Sequence, residues 1–158
     1  MALVRYLFVY GTLLSAARGP MGRLERARLG REGEVVSAAA MRGRLYDLGG
    51  FPGLIPAGDP DNDPGAGLGW GELVRLRAPA TSFLWLDRYE GVVAPGEGVD
   101  APYLRTPVAV EVAPAGGEGG PTAGGTAPAA RRLQAWVYLY RHSVAGRRAI
   151  GSGNWLER

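Results

Sequence analysis

The feature that most constrains this chain is the run Leu3-Val4-Arg5-Tyr6-Leu7-Phe8-Val9-Tyr10, which Gly11 ends. In an extended strand Val4, Tyr6, Phe8 and Tyr10 share one face, and Leu3, Leu7 and Val9 share the other. Both faces are largely apolar, so protein must pack against each, and a central, buried strand is expected. Further strands are expected at 40–48 and 52–57 around Gly49-Gly50, and at 103–113 and 132–141. Another is expected at 68–77, with Leu68, Trp70, Val74 and Leu76 on one face and Arg75 and Arg77 on the other. Helices fit 20–31, with Pro20 in the first turn, and 81–90, opened by Thr81 or Ser82 as cap. The turn-rich stretch 58–67 and the Gly-Ala-Pro-Thr stretch 114–130 read as loops, the latter a flexible surface segment. Several strands, few helices and no βαβ alternation specify an α+β fold. A length of 158 residues suits one domain with a real core.

Two absences narrow the chemistry. The chain has no Cys, and all 18 of its basic residues are Arg, so there is no Lys. Disulfides, thiolate nucleophiles, Cys-based metal sites, Schiff bases and a phosphate loop ending in Gly-Lys are excluded. The single His142 follows the last long strand, and no Gly-x-Ser-x-Gly elbow exists to pair with it. Asp59, Asp61 and Asp63 share their loop with two prolines and lack a distal Glu, which reads as a solvated turn and not a calcium site. The net charge of +3 concentrates at Arg23, Arg26, Arg28 and Arg31, but Glu25 and Glu32 interrupt the run. No aromatic residues alternate with those charges, so no nucleic-acid partner is expected. No apolar stretch approaches the roughly 20 residues of a membrane span, and no signal-like segment precedes the first strand. A cytoplasmic address is the expectation, with no membrane partner. What chemistry there is must use carboxylates, hydroxyls, Arg or backbone groups.

Two places meet that requirement. In the helix Thr81–Glu90, Phe83, Leu86 and Glu90 fall within roughly 60° of one another, so Glu90 points with two core residues while Arg88 points away. A carboxylate so placed loses water, and its pKa rises toward the range useful for proton transfer. The alternative is that Glu90 reaches solvent or pairs with Arg88 or Arg105. Asp87, also near the inward face, reads as a buried hydrogen-bond acceptor fixing a neighbouring loop. The second place is Tyr10-Gly11-Thr12-Leu13, where the first strand ends. Once ladder pairing stops, consecutive N–H groups can form a nest for a carboxylate or oxyanion, and Gly11 admits close approach. An ordinary strand-to-helix turn is the alternative there.

These pieces belong to an ordered set: Tyr10-Gly11-Thr12-Leu13, Gly43-Arg44-Leu45-Tyr46-Asp47, Phe51-Pro52-Gly53-Leu54, Gly71-Glu72-Leu73, Leu86-Asp87-Arg88-Tyr89-Glu90-Gly91, Tyr103-Leu104-Arg105, Ala135-Trp136-Val137-Tyr138 and Gly153-Asn154-Trp155. In that order they resemble the γ-glutamylcyclotransferase family, in its AIG2-like branch. The resemblance implies a mixed sheet partly closed as a barrel, with helices packed around a pocket. It implies cofactor-independent release of 5-oxoproline from a small γ-glutamyl substrate, with no metal. It makes Glu90 the acid/base and residues 10–13 the substrate-recognition turn; Tyr10 and Tyr103 are candidates for orienting substrate or Glu90. Asn154 departs from the family's usual Asp. The sequence also admits hydrolysis or acyl transfer on the same group, or a non-catalytic module that binds a small carboxylate. It specifies no oligomeric state.

Overall fold

The structure, a computed structural model, describes residues 4–58, 67–92, 101–112 and 131–158. Its elements in chain order are β1 (Tyr6–Val9), α1 (Arg23–Glu32), β2 (Gly33–Asp47), β3 (Pro52–Pro56), β4 (Leu68–Leu76), α2 (Pro79–Tyr89), β5 (Tyr103–Val112), β6 (Arg131–Tyr140), β7 (Arg148–Ala149) and a 3-10 turn (Trp155–Glu157). The apolar N-terminal run becomes β1, antiparallel to β4 on one side and parallel to β6 on the other. Leu7 and Phe8 are essentially inaccessible, as a strand apolar on both faces requires.

From β1 the sheet extends through β4 to β2 and through β6 to β5. It closes where β5 returns to β2 at Ala39↔Val112 and Ala40↔Glu111. β2, β4, β1, β6 and β5 thus form a five-stranded barrel, shut by a short seam. The far half of β2 runs past the barrel and pairs there with β3 and β7. The interior is filled by Leu7, Phe8, Leu45, Leu54, Leu73, Leu76, Leu86, Val110 and Val137, all fully buried. No helix among the described residues is long and apolar enough to cross a membrane.

Several boundaries differ from expectation. β2 begins at Gly33 and not near residue 40. Its register shifts between Val35 and Ser37, and residues 34–36 are exposed, so the bulge erases the alternation that would mark a strand. α2 begins with Pro79 at its first turn, and neither Thr81 nor Ser82 caps it. Ser82 instead lies fully buried and donates to Glu32 Oε1 at 2.7 Å, tying α2 to α1. Trp70 does not share the burial of Val74 and Leu76; it is half exposed at the start of β4, where its N–H bonds the Gly153 carbonyl at 2.8 Å. The expected loop 114–130, most of 58–67 and Leu3 lie outside the described residues.

Leu73, on β4 between β1 and β2, has no accessible surface. Its replacement by Ala removes methyl groups that nothing can refill. Urea denaturation of Leu73→Ala should show a loss of about 2–5 kcal/mol with an unchanged slope.

Candidate active site

The open end of the barrel holds a cavity of about 400 Å³. Its lining comes from four places: the end of β1 and the turn Tyr10–Leu13, the last residues of α2 with Glu90 and Gly91, the β3 residues around Pro52, and the pocket ends of β5 and β6. Tyr10, Gly11, Thr12, Leu13, Glu90 and Tyr103 all line it. Residues 80 positions apart in sequence therefore meet because β1 and the end of α2 lie at one rim of the barrel.

Glu90 occupies the C-cap of α2, still in helical geometry at φ −83, ψ −2, and Gly91 leaves the helix at φ +73. The left-handed conformation at residue 91 favours Gly and stops the helix one residue past the carboxylate. No hydrogen bond or ion pair reaches the Glu90 side chain among the described residues. Both of its pairing alternatives are therefore unused; Arg105 bonds Asp87 instead, and Arg88 points outward. Glu90 keeps some surface, which opens on the cavity, while protein covers the rest. Burial alone lifts its pKa from the ordinary 4.5 to about 8.

Tyrosines surround this carboxyl group. Burial, and then the proximity of Glu90 among other groups, raises the pKa of Tyr103 and Tyr89 above the ordinary 10. Tyr10 rises by burial first, then by Tyr103 and Glu90. Tyr138 also rises, chiefly by burial and its bond to Asp87. All four are thereby held in the neutral form near neutral pH. Three of the hydroxyl protons are committed to the frame: Tyr10 donates to the Tyr138 carbonyl, Tyr103 to the Pro52 carbonyl at 2.7 Å, and Tyr138 to Asp87 Oδ1 at 2.6 Å. The Thr12 hydroxyl shares a 2.8 Å hydrogen bond with Tyr89. Rings and lone pairs of these residues face the cavity, but their protons are not idle.

The turn itself is a donor array. The N–H groups of Gly11, Thr12 and Leu13 carry no hydrogen bond among the described residues, while Leu14 N–H closes back on the Gly11 carbonyl at 3.0 Å. Its outer side is pinned. Arg26 donates to the carbonyls of Thr12 (2.7 Å), Met21 (2.9 Å) and Gly19 (3.1 Å), and Glu72 accepts from the Ser15 N–H and hydroxyl, each at 2.6 Å. Gly11 also has a packing reason beside its place in the cavity lining: a β-carbon there would overlap the Pro52 ring.

Sequence reasoning singled out the carboxylate and the turn, and expected pocket walls from the loops around 49–56 and 92–103, where Phe51 and Pro52 do line the cavity. It assigned nothing to Tyr89, Tyr138 or Tyr140, which line it too. The motifs containing them were legible; which side chains converge was not. Asn154 accepts from the Leu156 N–H at 3.0 Å as cap of the 3-10 turn, a role Asp performs equally, so this departure is structurally neutral.

A family model described as gamma-glutamyl cyclotransferase, AIG2-like, matches residues 7–157. The chain belongs to that family. Among solved structures it is similar to protein ytfP from Escherichia coli, determined by solution NMR, at 24% identity and TM-score 0.54 over 97% of each chain. It is also similar to the uncharacterized protein PH0828 from Pyrococcus horikoshii, at 14% identity and TM-score 0.52, over 95% of this chain and 88% of that one. Both likenesses support the barrel. No curated protein matches the chain significantly.

Two outcomes follow from this geometry. A group whose folded pKa is raised from 4.5 to about 8 contributes stability that is complete at low pH and lost as pH climbs through that window. Glu90→Gln should therefore gain stability relative to the parent between pH 5 and 9, by on the order of 2–4 kcal/mol, read from denaturation midpoints across pH. Gly11→Ala should push Pro52 out of place and cost about 1–3 kcal/mol in the same assay.

Proposed function

We propose that this protein is a γ-glutamyl cyclotransferase that converts a small γ-glutamyl compound to 5-oxoproline and a free amine. The observation that carries the reading is Glu90, a carboxyl group raised to about 8 by burial and opening on a cavity beside a turn of free N–H groups.

The substrate supplies its own nucleophile. Its α-amino nitrogen reaches the γ-carbonyl carbon by closing a five-membered ring, so the pocket needs only to select the folded conformer. Glu90, as carboxylate, takes a proton from the α-ammonium group. The freed nitrogen pair forms the new C–N bond, and the carbonyl π pair moves onto oxygen. The oxyanion pair then re-forms the carbonyl as the old C–N bond breaks, and the Glu90 carboxylic acid gives its proton to the departing nitrogen. The ring nitrogen, cationic after attack, loses its second proton through the restored carboxylate to the free amine. A neutral lactam, an ammonium ion and the Glu90 carboxylate result. The N–H groups of Gly11, Thr12 and Leu13 suit the α-carboxylate or the developing oxyanion. The rings of Tyr10 and Tyr103 shape the wall; the Tyr10 hydroxyl is engaged by the Tyr138 carbonyl and the Leu54 N–H, which leaves the Tyr103 hydroxyl oxygen as the acceptor for an ammonium donor.

The leaving group faces the more exposed part of the lining, Met21, Phe51, Tyr89, Pro102 and Tyr140. Every Arg lies among the described residues, and none lines the cavity. A leaving amine that carries its own carboxylate finds no cation there, so uncharged alkyl or arylalkyl amines fit better than amino acids.

Glu90→Gln should lower kcat by about 10²–10⁴-fold while the fold and ligand affinity persist, followed as 5-oxoproline release. A Gln variant with parental turnover would refute the mechanism, and free glutamate as product would point to hydrolysis. For the parent, kcat/KM should rise with pH through about 8, because the free enzyme must be in its carboxylate form. The profile of kcat should break at lower pH, since the bound ammonium favours the Glu90 anion. A γ-glutamyl alkylamine should outperform a γ-glutamyl amino acid of equal size by roughly tenfold or more in kcat/KM, a difference of about 1.4 kcal/mol.

A further inference from the structure

One turn before Glu90 on the same helix, Asp87 faces the barrel wall. Its Oδ1 accepts from Arg105 Nε at 2.9 Å and from the Tyr138 hydroxyl at 2.6 Å, and its Oδ2 accepts from Arg105 Nη2 at 3.3 Å. Arg105 on β5 and Tyr138 on β6 are direct cross-strand partners, so one carboxylate grips both strands. The guanidinium is held between Phe83, 4.1 Å away, and Trp136, 4.6 Å away. On its backbone side, Asp87 accepts the Val92 N–H at 2.8 Å, closing the turn that carries Glu90. Tyr138 in turn receives the Tyr10 hydroxyl on its carbonyl. A single ion pair thus connects the end of α2, both strands of the far wall and the edge of the cavity.

We infer that the Asp87–Arg105 pair is the positioning device of Glu90, in which Asp87 fixes the turn and Arg105 cancels the charge that Asp87 would otherwise present to it. The inference rests on Glu90 being the acid/base of the proposed reaction. Positions three apart on a helix bring their side chains to about 5–6 Å at Cβ. An uncancelled charge at that range, in surroundings of effective dielectric about 20, moves a carboxyl group by about two pKa units. Among the described residues, the other titratable groups facing Glu90 are Tyr89 on its own helix, Tyr10 on β1, Tyr103 on β5 and Tyr138 on β6. All are neutral. Glu25 and Arg26 of α1 act on Tyr89, farther out.

The two halves of the pair therefore have opposite electrostatic consequences. Asp87→Asn leaves the Arg105 cation uncancelled, which favours the Glu90 anion. Arg105→Met leaves the Asp87 anion uncancelled, which disfavours it. A pair that served only to brace the fold would behave otherwise, because losing either half would loosen the turn, admit water and lower the Glu90 pKa in both variants.

The test is a ¹³C-carboxyl NMR titration of the full chain, with the Glu90 signal identified by its absence in Glu90→Gln. The Glu90 midpoint should fall by about two units in Asp87→Asn, rise by about two units in Arg105→Met, and stay near the parental value in Arg105→Lys. The pH profile of kcat/KM should move in the same directions. Shifts of one sign in both variants, or no shift in either, would overturn the inference. Should Arg105→Met fail to fold, Asp87→Asn with Arg105→Lys decides, because an unmoved midpoint in folded Asp87→Asn is equally fatal. The titration needs no substrate. A parent that releases no 5-oxoproline would defeat the proposed reaction and leave this result standing.

Discussion

The structure turns on a carboxyl group that folding strips of water without supplying a cation. Glu90 has no hydrogen-bonding or ionic partner among the described residues, and burial alone lifts it to about 8. Such a group costs free energy in proportion to its shift, and a fold keeps it only if the surrounding packing outweighs that cost. The packing is visible. Phe83 and Leu86 seat the inward face of α2 on the barrel, and Gly91 ends the helix before Glu90 can turn toward solvent.

The same economy governs the polar groups around it. A ring of tyrosines would ordinarily offer several proton donors to a ligand, but here those protons are given to the frame. Tyr10 ties β1 to β6, Tyr103 ties β5 to the Pro52 carbonyl, and Tyr89 ties α2 to Thr12. Each bond spans elements far apart in sequence, and together they hold the four parts of the cavity in register. The wall is consequently rigid, with backbone N–H groups as its available donors. Preorganised donors of this kind need not reorient during a reaction, which is where their advantage over flexible side chains lies.

Much of this was legible before any coordinates. The two-faced apolar run specified β1 at the centre of the sheet, and helical phase turned Glu90 inward. What stayed hidden has physical causes. A bulge at Val35–Ser37 broke the period-two signal, so β2 looked half its length. Ser82 resembled a helix cap because caps and buried hydroxyls share a residue type, and only its contact with Glu32 tells them apart. Gly11 read as room for a ligand, and its second constraint, the Pro52 ring packed where a β-carbon would sit, comes from another strand. The grip of Asp87 on Arg105 and Tyr138 depends on the β5–β6 register, which periodicity within one strand does not encode.

In the proposed reaction, the absence of an Arg from the cavity lining among the described residues and the use of backbone N–H groups for the substrate anion are two aspects of one requirement. An Arg reaching the pocket would bind a substrate carboxylate strongly, but it would also pair with Glu90 and lower its pKa by about 1–3 units. The carboxyl group would then hold its proton too weakly to return it to a leaving amine near neutral pH. Neutral N–H groups bind an anion without that penalty, since their partial charges fall off within a short distance. In a chain whose 18 basic residues are all Arg, with side chains long enough to reach inward, keeping them out takes structure. Arg105 is held by Asp87 and packed between Phe83 and Trp136, and Arg26 is committed to the Thr12 carbonyl behind the turn, so neither lines the cavity.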